Sequence, residues 1–117
     1  MVIVGSVYTM WIPSPLGAPA HPTFPLTSGL TGAAIANRKM INIGDVSADP
    51  RYLTALGTTR SEIIVPVFDQ SGENVIGTID VESAELNAFG ADAETVLEAC
   101  SEVLQPLWQT LMPVHPR

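Results

Sequence analysis

The stretch Arg60-Ser61-Glu62-Ile63-Ile64-Val65-Pro66-Val67-Phe68, Asp69-Gln70-Ser71-Gly72-Glu73, Asn74-Val75-Ile76-Gly77-Thr78-Ile79-Asp80-Val81-Glu82-Ser83 decides the fold of this 117-residue chain. Glu62–Phe68 and Asn74–Glu82 are rich in β-branched residues. Between them lie five polar or small residues, Asp69 to Glu73. That pattern predicts two antiparallel strands joined as a hairpin.

Side chains two apart on a strand share a face. Val75, Gly77, Ile79 and Val81 therefore form one face of the second strand, the expected core face. Ile76, Thr78, Asp80 and Glu82 form the other, with two carboxylates about 7 Å apart along the strand. Glu62 opens the neighbouring strand and is within reach across the sheet. Clustered carboxylates repel, so solvent, an arginine such as Arg60, or a cationic ligand must compensate. Two readings stay open on these residues: a solvated sheet face, or a site for a ligand ammonium.

Outward from the hairpin, the C-terminal third predicts a helix from about Asp92. Val96, Leu97, Cys100, Val103, Leu104, Leu107, Trp108 and Leu111 recur at three- and four-residue spacing, with Glu94, Glu98 and Glu102 on the other face. Pro106 predicts a kink or break. Cys100 falls on the apolar stripe and reads as a buried, inert thiol. The tail Pro113–Arg117 is expected to fray. Toward the N-terminus, Met1–Ile12 reads as a strand, Thr23–Leu26 as a short edge strand, and Met40–Ile43 as a further strand. Ser28 to Asn37 predicts a short helix, with Ser28 as cap and Asn37 as terminator. Asp49-Pro50 suits a helix start. Strands paired by hairpins with a few helices give an α+β domain around an antiparallel sheet.

Composition narrows the function. Apolar residues make up 46% and charged residues 15%, which excludes overall disorder. Twelve acids against five bases give a net charge of −7, and no basic cluster exists to neutralise phosphates, so nucleic acid is not an expected partner. Residues 1–37 carry no Asp, Glu, Lys or Arg. Pro13, Pro15, Pro19, Pro22 and Pro25 exclude a spanning helix there, and no basic n-region marks a signal peptide. With one cysteine and no intramolecular disulfide, a cytoplasmic location is the default expectation. His21 and His115 stand far apart, no metal-site spacing is present, and no cofactor is expected. Gly29-x-x-Gly32 is too short for a phosphate loop.

Several segments together resemble a GAF domain: Gly29-Leu30-Thr31-Gly32-Ala33-Ala34, Asp45-Val46, Asp49-Pro50-Arg51-Tyr52, the Arg60–Val67 strand, the Val75–Ser83 strand, and Phe89-x-x-Asp92. More narrowly, they resemble the branch that includes free methionine-(R)-sulfoxide reductase, over roughly Val4 to Trp108. The resemblance implies residues 1–117 as a single GAF domain, with a central antiparallel sheet, helices on one face and a ligand pocket on the other. It implies Glu62, Asp80 and Glu82 around the ligand's amino group, Ser61 fixing orientation, and Tyr8 as an aromatic pocket residue. The branch's cysteine positions fall at His21, Thr31 and Ala55, so thiol-based reduction is not expected. The first expectation is a non-catalytic domain that binds a small ligand, amino-acid-like in character, in a sensory or regulatory role. The alternatives are a divergent reductase and a structural dimerisation module. GAF domains usually carry a helix before the first strand, and here the sequence starts in the strand. The uncovered stripe of the last helix is therefore expected either to pack against a second subunit, as a homodimer, or to mark a truncated domain, and the homodimer is the favoured expectation.

Overall fold

The structure, a computed structural model, describes residues 2–4, 7–9, 23–25, 29–52 and 58–111, with side chains over 29–52 and 58–107. The hairpin sits where the sequence placed it. Strand β5 (Ser61–Phe68) pairs antiparallel with β6 (Val75–Ser83), from Ser61 opposite Ser83 to Phe68 opposite Val75, with an irregularity at Val67/Phe68. Asp69 organises the turn. Its amide donates to the Asn74 carbonyl at 2.9 Å, and its carboxylate accepts from the Ser71 hydroxyl at 2.6 Å and the Asn74 side-chain amide at 2.8 Å. Gly72, at φ 73°, takes the left-handed conformation that the turn requires. Those donors hold the Asp69 carboxyl down at about 2.

Four further strands extend the sheet on both sides of this pair. They are β1 (Val2–Val4), β2 (Val7–Thr9), β3 (Thr23–Pro25) and β4 (Ile41–Ile43), and the sheet order is β3-β2-β1-β6-β5-β4. The single N-terminal strand expected over Met1–Ile12 is instead the antiparallel pair β1 and β2, with Val4 opposite Val7. Gly5-Ser6, the two residues between them, have the composition that two-residue connections select. The edge strand β3 falls within the expected Thr23–Leu26 segment, and its Pro25 suits an edge.

Helix α1 (Gly29–Asn37) is short and built of small residues. It ends one position later than Asn37 alone implies. Arg38 adopts φ 53° and the Lys39 amide reaches back to the Ala34 carbonyl at 3.2 Å, which closes the last turn. No helix starts at Asp49-Pro50 among the described residues, where residues 50 and 51 form a turn. A 3₁₀ turn occupies Val46–Ala48, because the Asp45 carboxylate accepts both the amide and the hydroxyl of Ser47, and Asp49 only closes it. Helix α2 (Ala91–Leu111) runs unbroken through Pro106, so no break occurs there. The tail beyond Leu111 and the Ser28 cap lie outside the described residues.

The two helices lie on opposite faces of the sheet. On the odd face, Ile63, Val65 and Val67 are fully buried and α2 packs over them. Each such side chain contributes about 1.5–3 kcal/mol by leaving water. On the even face, Ile64 joins Leu30 and Ala34 of α1 with Val46, and Ile41, Ile43 and Tyr52 pack around them. The face carrying Thr78, Asp80 and Glu82 is therefore covered by α1, which overturns the solvated reading.

Half of the α2 stripe is covered. Leu97 and Leu104 are partly buried, while Val96, Val103 and Leu107 are 60%, 66% and 52% exposed. Cys100 is exposed rather than buried. The stripe is wider than the contact a single helix makes with one sheet, so its outer edge remains in solvent. Glu94, expected on the solvated side, faces inward and accepts from the Asn42 side-chain amide at 2.9 Å.

The loop before α2 is held against the end of β4. The Asn87 amide donates to the Gly44 carbonyl at 2.9 Å, and Asn87 sits at φ 54°. A Cβ on Gly44 would collide with the Asn87 side-chain oxygen. Gly44→Ala should cost about 1–2 kcal/mol, the range for overpacking a close contact. A lowered urea midpoint at unchanged slope is the expected result; an unchanged midpoint would show that the loop yields freely.

Candidate functional site

The carboxylate cluster follows from strand register. Glu62 lies directly opposite Glu82, and Ile64 directly opposite Asp80. All four side chains share the even face, with Glu62 and Glu82 about 5 Å apart at their Cβ atoms, the spacing of directly paired residues. Glu62 is only 7% exposed.

Each carboxyl has a neighbour that bears on its charge. Burial, then the Glu82 and Asp80 charges, push the Glu62 carboxyl up to about 9, and it is hydrogen-bonded to Glu82. Burial raises Asp80, offset by hydrogen bonds from Thr78 and Thr31. Burial and the Asp80 charge also raise Glu82, offset by hydrogen bonds from Thr59, Glu62 and Tyr52. The Thr31 hydroxyl donates to Asp80 Oδ2 at 2.9 Å, tying α1 to β6 across the pocket. Two carboxylate oxygens, Asp80 Oδ1 and Glu82 Oε1, are buried without a hydrogen-bond partner. Buried acceptors in that condition are costly and mark a place where a donor is wanted.

Among the described residues, no cation fills that role. Arg60 is exposed, and its charge bears on Asp45 rather than on the cluster. Arg51 pairs with Asp49 at 2.7 Å, and Arg38 donates to the Glu73 carbonyl. No group of three or more His, Cys, Asp or Glu among the described residues has the geometry to hold a metal ion.

The remaining expected site residues separate. Ser61 does not join the carboxylates. It lies on the odd face, fully buried, where its hydroxyl donates to the Glu85 carbonyl at 2.6 Å and accepts from the Ala88 amide at 3.3 Å. Its work is to hold the loop before α2. Tyr8 is in β2, opposite Ile3 and Phe24, and its side chain lies outside the described residues, as do His21 and Ala55. Thr31 is buried and engaged with Asp80. Cys100 is on α2, across the sheet from the carboxylates. The sequence reading missed Tyr52 and Thr59, which approach Glu82 from segments with no strand or helix periodicity to flag them.

A carboxyl raised in the folded state binds its proton more tightly there than in the unfolded chain. Its contribution to stability is complete below the ordinary value of 4.5 and is lost as pH rises toward 9. The ligand-free protein should therefore melt at a lower temperature at about pH 8.5 than at about pH 6. Glu62→Gln should flatten that slope and raise the alkaline melting temperature. An identical slope in wild type and variant would show that Glu62 ionises normally.

Comparison with known proteins agrees with this architecture. Residues 11–105 match the family model described as GAF domain. Protein YtsP of Bacillus subtilis is 32% identical over 89 residues, which is 76% of this chain and 53% of that protein. A type II free methionine-R-sulfoxide reductase from Thermoplasma acidophilum superposes with a TM-score of 0.76 at 31% identity, over 82% of this chain and 67% of the other. The corresponding enzyme from Neisseria meningitidis, in complex with its substrate, superposes with a TM-score of 0.69 at 30% identity, over 75% and 52%. The chain spans about half the length of the curated relatives it matches. With a matching model over most of its length and this antiparallel sheet, the chain belongs to the GAF domain family.

Proposed function

We propose that this GAF domain binds a small ligand through an ammonium group, as the sensing or regulatory part of a cytoplasmic protein. The observation behind the reading is the cluster of Glu62, Asp80 and Glu82, with Glu62 buried and two buried carboxylate oxygens, one on Asp80 and one on Glu82, without a partner. An ammonium offers three donors and one positive charge, which matches those acceptors. The likeness to reductases of free methionine sulfoxide supports an amino-acid-like ligand.

Thiol chemistry is not part of the proposal. The resemblance to the reductase branch puts Thr31 at one of its cysteine positions, and a hydroxyl forms no disulfide. The lone described cysteine is separated from the pocket by the sheet. In a thioredoxin-coupled assay with free methionine-(R)-sulfoxide the protein should give no turnover; turnover abolished by Cys100→Ser would reverse that assignment. Isothermal titration with methionine sulfoxide, other amino acids and simple amines should find a binder. Glu62→Gln and Asp80→Asn should weaken it at least about tenfold, the worth of one charge-assisted hydrogen bond. Absence of heat with every compound would overturn the reading.

We also propose that the outer edge of α2 packs against a second copy of the chain. Val96, Cys100, Val103 and Leu107 are all exposed, and their positions are symmetric about the midpoint between Ser101 and Glu102. Two antiparallel copies would set Val96 against Leu107 and Cys100 against Val103, the self-complementarity that a two-fold contact needs. Light scattering should report a dimer that Val103→Glu or Leu107→Glu converts to a folded monomer. A monomeric wild type would remove the proposal.

A further inference from the structure

The pocket poses a charge problem that its own side chains leave unsolved. Three carboxyls lie together on the even face of β5 and β6, with Glu62 buried and Asp80 and Glu82 half-buried, each of these two with one buried oxygen that lacks a partner. Among the described residues the elements around them supply no cationic side chain, and the one positive charge that bears on them is the N-terminal ammonium, which favours the ionised form of Asp80. α1, from Gly29 to Asn37, has no charged residue and presents the Thr31 hydroxyl. β4 presents Ile41 and Ile43. The segments before β5 present the Tyr52 phenol and the Thr59 hydroxyl. Arg60 and Asp45 lie at the surface. Residues 53–57, Leu-Thr-Ala-Leu-Gly, and residues 1–37 contain no lysine or arginine.

Three carboxylates within one strand-pair spacing, faced by a single positive charge, are not all sustained in the ionised form. The Glu62–Glu82 contact gives the answer. Glu62 stands directly opposite Glu82 and is 7% exposed, and two carboxyls so placed can hydrogen-bond to each other only when one carries a proton, because two carboxylates are both acceptors only.

We propose that the ligand-free pocket holds a bound proton shared between Glu62 and Glu82, and that an ammonium ligand displaces that proton to solvent. The exchange conserves charge. The ammonium brings one positive charge in, the shared proton leaves, and the pocket's total is unchanged. Ligand affinity is thereby coupled to pH, and a domain that senses an amine also reads proton activity at the same place. This inference rests on the ammonium reading above and adds its regulation.

Two measurements test it. In the ligand-free protein, side-chain carboxyl carbon resonances followed from about pH 3 to about pH 10 should show one carboxyl still protonated at neutrality, against about 4 for ordinary ones. That resonance should be missing in Glu62→Gln. Calorimetry with L-methionine sulfoxide, and with methylammonium as an ammonium lacking a carboxylate, is then run in buffers of different ionisation enthalpy. Binding should release close to one proton, and affinity should rise up to about tenfold per pH unit between about pH 6 and 8. A ligand-free spectrum in which every carboxyl titrates in the ordinary range overturns the proposal. Binding that releases no proton and is flat in pH overturns it while leaving the ammonium reading in place. A protonated Glu62 with neither probe bound overturns the ammonium reading and the exchange with it.

Discussion

The register of β5 against β6 is the constraint from which the rest follows. Glu62 stands opposite Glu82, and Asp80 follows two residues along on the same face. Like charges directly across an antiparallel pair destabilise it. The fold nevertheless covers that face with α1 and encloses the carboxyls. Apolar burial of Ile63, Ile64, Val65 and Val67 secures the strand that carries the charge conflict. The pocket's chemistry is a local cost carried by a well-packed sheet, the arrangement expected where strain serves binding.

The sheet also separates two environments with different tasks. The even face holds the carboxyls under a helix of small residues, and the Thr31 hydroxyl grips Asp80. The odd face holds aliphatic packing against α2, with Ser61 and Asn42 tying down the chain that leads into it. Adjacent residues on one strand, Ser61 and Glu62, serve opposite sides. That alternation explains why Ser61, next to the cluster in sequence, has no part in it.

Much of this was legible beforehand, and the failures have identifiable causes. The hairpin, its strands and the shared face of Glu62, Asp80 and Glu82 came from period-two patterning and a polar connection, both local signals. Whether that face meets water depends on where α1 docks, a long-range property that patterning does not encode. Cys100 and Glu94 exchanged expected environments for the same reason. The periodicity of α2 located an amphipathic helix but not the rotation at which it meets the sheet. Asp45 caps a 3₁₀ turn at Val46–Ala48 that periodicity did not flag, because the Ser47 hydroxyl and amide offer it two donors at once. Tyr52 and Thr59 reach Glu82 from irregular backbone, which carries no period to read.

The irregular pairing at Val67/Phe68 bears on how such a chain can change over time. It lies at the turn end of the hairpin, while Glu62 and Glu82 lie at the far end, about 20 Å along the strand at its rise per residue. A residue gained or lost in the connection can be absorbed at that irregularity before it shifts the ladder. The tip is thus free to lengthen, shorten or acquire new contacts across descendants. An insertion between Ser61 and Ile64 would instead turn every following side chain to the opposite face and remove the pocket in one step.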